Sequence, residues 1–247
     1  MFVSSVSVPE FTSGTYVDDL PVVAALREHG ALRFTTPITF IVGENGSGKS
    51  TLLEAIAVSL GFSPEGGSRN MNFSGLDAVS ELHKYLAVTR PRNPRDGYFV
   101  RAESMYRAYT YLDTINDGRQ PFMHPNSHGE ATMDLVRHRF HGNGLFLMDE
   151  PESGLSFDTS VELAGKIEKL ADQGAQFIIA THSPILLGIP GARILEITEN
   201  GLGFVPYDEC ELVQAYREFL ADPHGTAQYL VSGEQGRGRN RAYRWDF

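Results

Sequence analysis

Short apolar runs alternate with longer amphipathic segments along most of this 247-residue chain. The clearest runs are Ile-Thr-Phe-Ile-Val at 38–42, Leu-Phe-Leu-Met at 145–148 and Gln-Phe-Ile-Ile-Ala-Thr at 176–181. Runs of this length and composition are typical of strands that are buried on both faces of a parallel sheet. Between them, apolar residues recur at helical spacing, as they do within 49–60. Strands that alternate with helices predict an α/β domain with a mostly parallel central sheet.

Weaker patterns extend this prediction along the rest of the chain. Further strands are predicted at 2–8, 31–35, 97–101 and 193–197. Helices are predicted at 21–29, 49–60, 76–88, 103–113, 129–141, 156–173 and from 209 onward, and loops at 61–72 and 118–128. We therefore expect a single domain over 1–231, followed by a Gly/Arg-rich tail over 232–247.

The strongest motif directly follows the first apolar run. It consists of Gly43, Glu44, Asn45, Gly46, Ser47, Gly48, Lys49 and Ser50, a full match to the phosphate-binding loop pattern. Glycines at these positions let backbone N–H groups surround phosphate oxygens at the positive end of a helix. Lys49 is predicted to reach the β- and γ-phosphates, and Ser50, with Thr51 beside it, to ligate Mg²⁺. The alternative is a Gly-rich strand-to-helix turn with an incidental lysine, and the strand and helix on either side favour the phosphate loop.

Two carboxylates follow the apolar run at 145–148. Asp149 is expected at the carboxyl end of a buried strand, which is the edge at which α/β sheets bind ligands. There Asp149 is suited to hold Mg²⁺ through water, and Glu150 to orient and deprotonate an attacking water. A strand followed by an acidic turn is the alternative, and the phosphate loop in the same chain makes it the lesser interpretation.

Two further segments carry candidate site residues. His182 follows the run at 176–181, so its ring is expected at the same sheet edge, within reach of a γ-phosphate and an attacking water. The alternative is a histidine that bonds backbone groups in a strand-end turn. The second segment opens a predicted helix and comprises Ser127, His128, Gly129 and Glu130. Gly129 would let backbone approach an anion there, although taken alone the segment is an ordinary helix cap.

The order of these four motifs resembles that of the ATP-binding-cassette (ABC) ATPases. The sequences of these motifs are similar to those of the soluble branch that includes the SMC and RecF-like ATPases. They are also similar to those of compact stand-alone bacterial ATPases of AAA or ABC type. The resemblance covers most of the chain. It implies a P-loop NTPase fold with a mostly parallel central sheet, an N-terminal antiparallel β subdomain and a helical subdomain that carries the signature motif.

The resemblance also assigns roles to the candidate residues. It implies that Glu150 and His182 are catalytic. It also implies that Ser50 and Asp149 bind Mg²⁺ and that 43–51 binds the nucleotide. The segment 127–130 resembles the signature motif, which in this family contacts ATP held by the other subunit. The segment Ser-Gly-Leu-Ser at 153–156 falls where the family has its D-loop.

The chain also departs from the family pattern. Asn126 and His128 replace the usual leucine and first glycine of the signature. Glu103 stands in the neighbourhood where a glutamine of the Q-loop is expected. Tyr16 and Phe11 are the candidates for stacking on adenine, and an ordinary core or surface aromatic is the competing interpretation of each.

Composition excludes several classes of function. Lys and Arg number 21 against 31 Asp and Glu, so the formal charge is −10 and a generally basic surface that coats nucleic acid is excluded. Cys210 is the only cysteine, which excludes an intramolecular disulfide. We find no signal-peptide pattern and no membrane-spanning run, and so expect a cytoplasmic protein without membrane insertion. The arginines and aromatics of 232–247 suggest contact with nucleic acid, against the alternative of a solubilising tail.

Together the motifs predict Mg²⁺-dependent ATP hydrolysis by an ABC-type ATPase. We expect a homodimer that encloses ATP and acts on a nucleic-acid or protein partner. The alternatives are the nucleotide-binding subunit of a membrane transporter and a nucleotide-dependent switch with negligible turnover. The segment between Lys49 and Ser127 is too short for the long coiled-coil arm of SMC-type ATPases.

Overall fold

The apolar runs of the sequence become buried strands. The computed structural model describes residues 1–9, 11, 13–69, 79–101, 128–199 and 201–226. Its strands are β1 (Ser5–Ser7), β2 (Leu32–Arg33), β3 (Ile38–Gly43), β4 (Gly67–Ser68), β5 (Ala87–Thr89), β6 (Asp96–Arg101), β7 (Gly144–Asp149), β8 (Gln176–Ala180), β9 (Arg193–Thr198) and β10 (Gly201–Val205). Its α-helices are α1 (Pro21–His29), α2 (Lys49–Ser59), α3 (His128–Arg139), α4 (Phe157–Asp172), α5 (Pro184–Leu187) and α6 (Glu211–Ala221). Short 3-10 helices cover Tyr16–Asp19, Glu81–Lys84 and Tyr207–Glu209.

A mixed, mostly parallel sheet forms the centre of the fold, as predicted. Its strand order is β10-β9-β3-β8-β7-β6-β4. The five inner strands are parallel to one another, whereas β10 and β4 pair antiparallel with them at the two edges. Every residue of β7 and β8 is buried, which explains their unbroken apolar sequence. Because these strands are parallel, the carboxyl ends of β3, β7 and β8 meet at one edge, where the predicted motifs follow them.

A second, antiparallel sheet in the order β2-β1-β5 uses the start of the chain. Ser5 pairs with Arg33 on one side and with Thr89 on the other. This sheet agrees with the expected N-terminal antiparallel subdomain. The expected helical subdomain falls largely on 102–127, outside the described residues, as do the helix predicted at 103–113 and nearly all of the loop predicted at 118–128.

Part of the predicted secondary structure is wrong. Over the described part of the helix predicted at 76–88, the chain forms one 3-10 turn and then strand β5. The buried Leu82 and Leu86 gave an apparent helical spacing, but β-branched Val88 and Thr89 lie opposite β1. The loop predicted at 61–72 contains strand β4, and strand β10 was not predicted.

Two hydrophobic clusters cover the two faces of the central sheet. Alternate residues of β3 divide between them, with Ile41 in one cluster and Phe40 and Val42 in the other. The first cluster also holds residues of α1 and α2, and the second holds residues of α3, α4 and α6. This layered packing fixes the sheet edge at which the site lies. Within the described ranges, every helix is too short or too polar to cross a membrane.

A buried glutamine joins the start of the chain to the central sheet. Gln176 Oε1 accepts hydrogen bonds from the backbone N–H groups of Phe2 at 2.6 Å and Val3 at 2.9 Å. Its Nε2 donates to the Val3 carbonyl at 2.8 Å. Gln176 is 1% exposed, so water cannot replace these bonds.

We expect Gln176→Leu to lower the free energy of unfolding by about 2–4 kcal/mol, because three buried backbone groups lose their partner. Urea denaturation of the variant measures this loss. Gln173→Leu is the matched control, since that glutamine is exposed at the end of α4. Equal stability of the two variants would contradict the assigned role of Gln176.

Candidate active site

The backbone of the loop between β3 and α2 lies so close to α1 and β9 that two of its positions have no room for a side chain. Gly48 has a φ of 92°, and a Cβ there would lie 2.6 Å from Val22 Cγ1 on α1. A Cβ at Gly43 would lie 2.5 Å from the Ile197 carbonyl oxygen of β9. Both positions therefore require glycine, and the loop keeps a backbone conformation whose N–H groups can surround an anion.

Lys49 begins α2 and is almost fully buried, with 6% of its surface exposed. Its Nζ donates hydrogen bonds of 2.8 Å to the carbonyl oxygens of Gly43 and Glu44. Burial lowers the pKa of Lys49, and the carboxylates of Glu150, Asp149 and Glu44 act in the opposite direction. The cation is thus held against its own loop, where it can exchange carbonyl oxygens for phosphate oxygens.

A hydroxyl and a carboxylate join α2 to the end of β7. Ser50 Oγ donates to Asp149 Oδ1 at 2.9 Å, and Asp149 is 8% exposed. Oxygen donors of this kind suit Mg²⁺, which is usually held in nucleotide sites by one or two protein ligands together with phosphates and water. The donor set therefore fits a magnesium ion carried with a nucleotide.

An arginine that the sequence analysis missed lies next to this pair. Arg101 ends β6, and its NH1 donates to Glu54 Oε2 at 2.7 Å and to the Pro64 carbonyl at 3.1 Å. Its Nε lies 4.0 Å from Asp149 Oδ2. Glu54 also accepts a hydrogen bond from the Ser80 N–H. Arg101 therefore places a positive charge next to Asp149 from the neighbouring strand, and Glu54 and the Pro64 carbonyl hold its guanidinium in position.

Glu150 and His182 face each other at the ends of β7 and β8. Glu150 has a φ of 49°, in the left-handed region that non-glycine residues seldom occupy, and its N–H donates to the Ala180 carbonyl. Its side chain is 48% exposed, and its Oε1 lies 3.9 Å from His182 Nε2. The Nε2 atom is itself buried and has no hydrogen-bond partner among the described residues. A half-exposed carboxylate therefore lies beside an imidazole with unused hydrogen-bonding capacity.

The turn after Glu150 contains a second glutamate that the sequence analysis missed. Glu152 Oε1 accepts hydrogen bonds of 2.7 Å from both Thr181 Oγ1 and the His182 N–H. An acidic residue in a turn gives no signal in the sequence that it will bind the neighbouring strand end. Glu152 therefore joins the two strand ends that carry the candidate catalytic residues.

The signature segment is described only from its second residue onward. Ser127 lies outside the described residues, and His128 begins α3, with its side chain and that of Glu130 also outside them. Gly129 is buried, and a Cβ there would lie 2.5 Å from the Gly154 carbonyl oxygen. The start of α3 therefore packs directly on the segment 153–156, which is the predicted D-loop.

The remaining candidates lie as follows. The Phe11 ring stacks on Tyr85, with centroids 3.8 Å apart, and the Arg27 guanidinium lies 4.5 Å from the same centroid. Two groups stacked on one ring must cover opposite faces, so Phe11 presents no free face to adenine. Tyr16 is 60% exposed, and Glu103 lies outside the described residues.

Several known proteins and two family models are similar to this chain in sequence. A family model described as "AAA domain" matches residues 25–113, and one described as "AAA domain, putative AbiEii toxin, Type IV TA system" matches 131–188. The chain is 28% identical over 185 residues to the cytochrome c biogenesis ATP-binding export protein CcmA of Rhizobium meliloti, covering 67% of this chain and 84% of CcmA. It is 34% identical over 87 residues to the DNA repair protein RAD50 of Drosophila melanogaster, covering 34% of this chain and 6% of RAD50. The solved SMC head domain from Thermotoga maritima has a TM-score of 0.45 and 14% identity, covering 83% of this chain and 99% of that chain.

These sequence matches support an ATP-hydrolysing enzyme. The matching family models are of AAA type and the relatives include an ABC-type ATP-binding protein, so the prediction of an ABC-type ATPase from the order of the motifs is confirmed.

Proposed function

We propose that the chain binds Mg²⁺ and ATP at the carboxyl edge of β3, β7 and β8 and hydrolyses the nucleotide there. The observation that carries this proposal is the convergence of candidate site residues from three strand ends. The phosphate loop (43–51), which includes Lys49, lies at the end of β3. Asp149 ends β7 and Glu150 follows it, and His182 follows β8. This set provides an anion cradle, a cation, metal ligands and a base, which are the parts that phosphoryl transfer to water needs.

The phosphates are held by the loop and its lysine. Backbone N–H groups of 43–51 surround the phosphate oxygens, and Lys49 exchanges its two carbonyl contacts for the β- and γ-phosphates. Ser50 and Asp149 would be the residues that hold Mg²⁺. When bound, the ion neutralises charge that develops on the phosphate oxygens.

Glu150 serves as the base for the attacking water. The water oxygen bonds to the γ-phosphorus, the bond to the β–γ bridging oxygen breaks, and Glu150 takes the water proton. His182 donates a hydrogen bond to the γ-phosphate beside that water. The 3.9 Å separation of the two side chains leaves both within reach of one water molecule.

We further propose that two copies of the chain enclose two ATP molecules. In this arrangement 127–130 contacts the γ-phosphate bound by the second copy. The packing of Gly129 on Gly154 supports this arrangement, because the start of α3 is adjacent to the segment 153–156 that the resemblance assigns to the D-loop. These two segments are the part of the chain that would meet the partner's nucleotide.

We propose that the dimer acts in the cytoplasm on a nucleic-acid or protein partner. The arginines and aromatics of the 232–247 tail, which lies outside the described residues, support contact with nucleic acid. The nucleotide-binding subunit of a transporter is the second candidate function. It is favoured by the likeness to CcmA, which covers 84% of that export protein.

ATP turnover by the full chain tests these proposals. We expect turnover with Mg²⁺ that stops when EDTA removes the metal. Stimulation by DNA or RNA supports the first candidate partner, and stimulation only by membrane fractions supports the transporter. An absence of turnover under all of these conditions contradicts the proposed hydrolysis.

A further inference from the structure

Glu152 lies in the turn between β7 and α4, two residues beyond the proposed base Glu150. Its Oε1 accepts hydrogen bonds of 2.7 Å from Thr181 Oγ1 and from the His182 N–H. The Thr181 hydroxyl in turn accepts a hydrogen bond of 3.0 Å from the Ser183 N–H. One carboxylate oxygen therefore organises the whole three-residue turn that follows β8.

The same two turns are also joined through the backbone. The Glu150 N–H donates to the Ala180 carbonyl at 2.9 Å, and the Leu155 N–H donates to the Glu152 carbonyl at 2.9 Å. These bonds fix the Glu150 main chain against β8 and close the turn around Glu152. The distance from Glu150 to His182 is therefore set by the backbone on one side and by Glu152 on the other.

We propose that Glu152 is a positioning residue for ATP hydrolysis, which holds the His182 ring at the correct distance from Glu150. This inference rests on the proposed function of that site. Glu152 itself contacts neither the nucleotide nor the attacking water. What it supplies is an oxygen that accepts two hydrogen bonds, and its negative charge is not required for that task.

The second carboxylate oxygen of Glu152 bears on how much this side chain contributes to the stability of the fold. Oε2 is buried and finds no hydrogen-bond partner in the described part of the chain. A buried carboxylate oxygen without a donor destabilises the fold, which offsets the gain from the two bonds that Oε1 accepts. Removal of the side chain also leaves the Thr181 hydroxyl and the His182 N–H without this acceptor, so thermal stability is measured beside kcat to separate a misplaced His182 from a loss of fold.

Three variants of the full chain test the proposal by steady-state kinetics. Glu152→Ala removes the acceptor, and we expect kcat to fall about tenfold to a hundredfold, with KM for ATP changed less than about twofold. Glu152→Gln keeps an acceptor oxygen without the charge, and we expect kcat within about threefold of the original value. Glu168→Ala is the matched control, since Glu168 is exposed near the end of α4 that leads to the opposite sheet edge.

An activity-independent measurement accompanies the kinetics. We expect the His182 imidazole NMR signals of the nucleotide-free protein to shift in Glu152→Ala and to stay in place in Glu152→Gln. The proposal is overturned if Glu152→Ala leaves kcat unchanged, if Glu152→Gln is as inactive as Glu152→Ala, or if activity falls only in step with a loss of thermal stability. If the original chain hydrolyses no ATP, the proposed function fails, and the His182 signals still decide whether Glu152 positions this ring.

Discussion

Lys49→Ala is expected to weaken ATP binding by at least about a hundredfold and to abolish turnover. The ammonium group lies 2.8 Å from the carbonyl oxygens of Gly43 and Glu44, which are the first two residues of the loop. Three carboxylates, those of Glu150, Asp149 and Glu44, act electrostatically on it. Without the lysine, incoming phosphates would meet these negative charges with no opposing cation from the loop. Titration calorimetry with ATP and Mg²⁺ measures the loss.

Two further variants sharpen this test. Lys169→Ala removes an exposed lysine of α4 and is expected to bind ATP like the original chain. Lys49→Arg keeps the charge. Lys49 is only 6% exposed, and the larger planar guanidinium does not fit the buried space that its side chain occupies, so ATP binding should still fall. ATP affinity of Lys49→Ala within about threefold of the original value would contradict the role given to the phosphate loop.

The convergence of the candidate site was predictable because its residues directly follow apolar strands. A run that is buried on both faces indicates a parallel strand, and parallel strands share a carboxyl edge. Lys49, Asp149 and His182 each come within a few residues of such a run. Local sequence therefore contained both the chemistry of these side chains and the edge on which they lie.

Contacts that depend on strand order were not predictable in this way. Arg101 lies opposite Asp149 in the register of β6 and β7, which are separated by more than 40 residues of chain. Glu152 bonds the end of β8, and only the neighbouring positions of β7 and β8 make this contact available. Hydrophobic periodicity shows that a strand exists, but it does not show which strand lies beside it.

The same non-local pairing explains the wrong helix prediction. Residues 87–89 become β5 because they pair with β1, some 80 residues earlier in the chain. Leu82 and Leu86 satisfy a helical spacing, yet they are buried by a 3-10 turn and the segment after it. A partner strand outweighed local helical spacing here, as tertiary context commonly does for short segments.

Glu150→Gln is expected to bind ATP normally and to lower kcat at least about a hundredfold, because an amide cannot take the proton of the attacking water. The backbone of Glu150 carries the positive φ and the hydrogen bond to Ala180, so a side chain of equal shape leaves the turn intact. Stalled chemistry should then accumulate an ATP-bound dimer. Phosphate release measures the first effect, and light scattering with ATP and Mg²⁺ measures the second.

Glu168→Gln makes the same chemical change on the exposed surface of α4 and should leave both turnover and assembly unchanged. The two effects of Glu150→Gln test separate proposals. Full turnover by this variant would remove Glu150 from the role of base, whatever the assembly state. A monomer at every ATP concentration, in the variant and the original chain alike, would contradict the two-copy arrangement, because the signature segment 127–130 would then have no second nucleotide to contact.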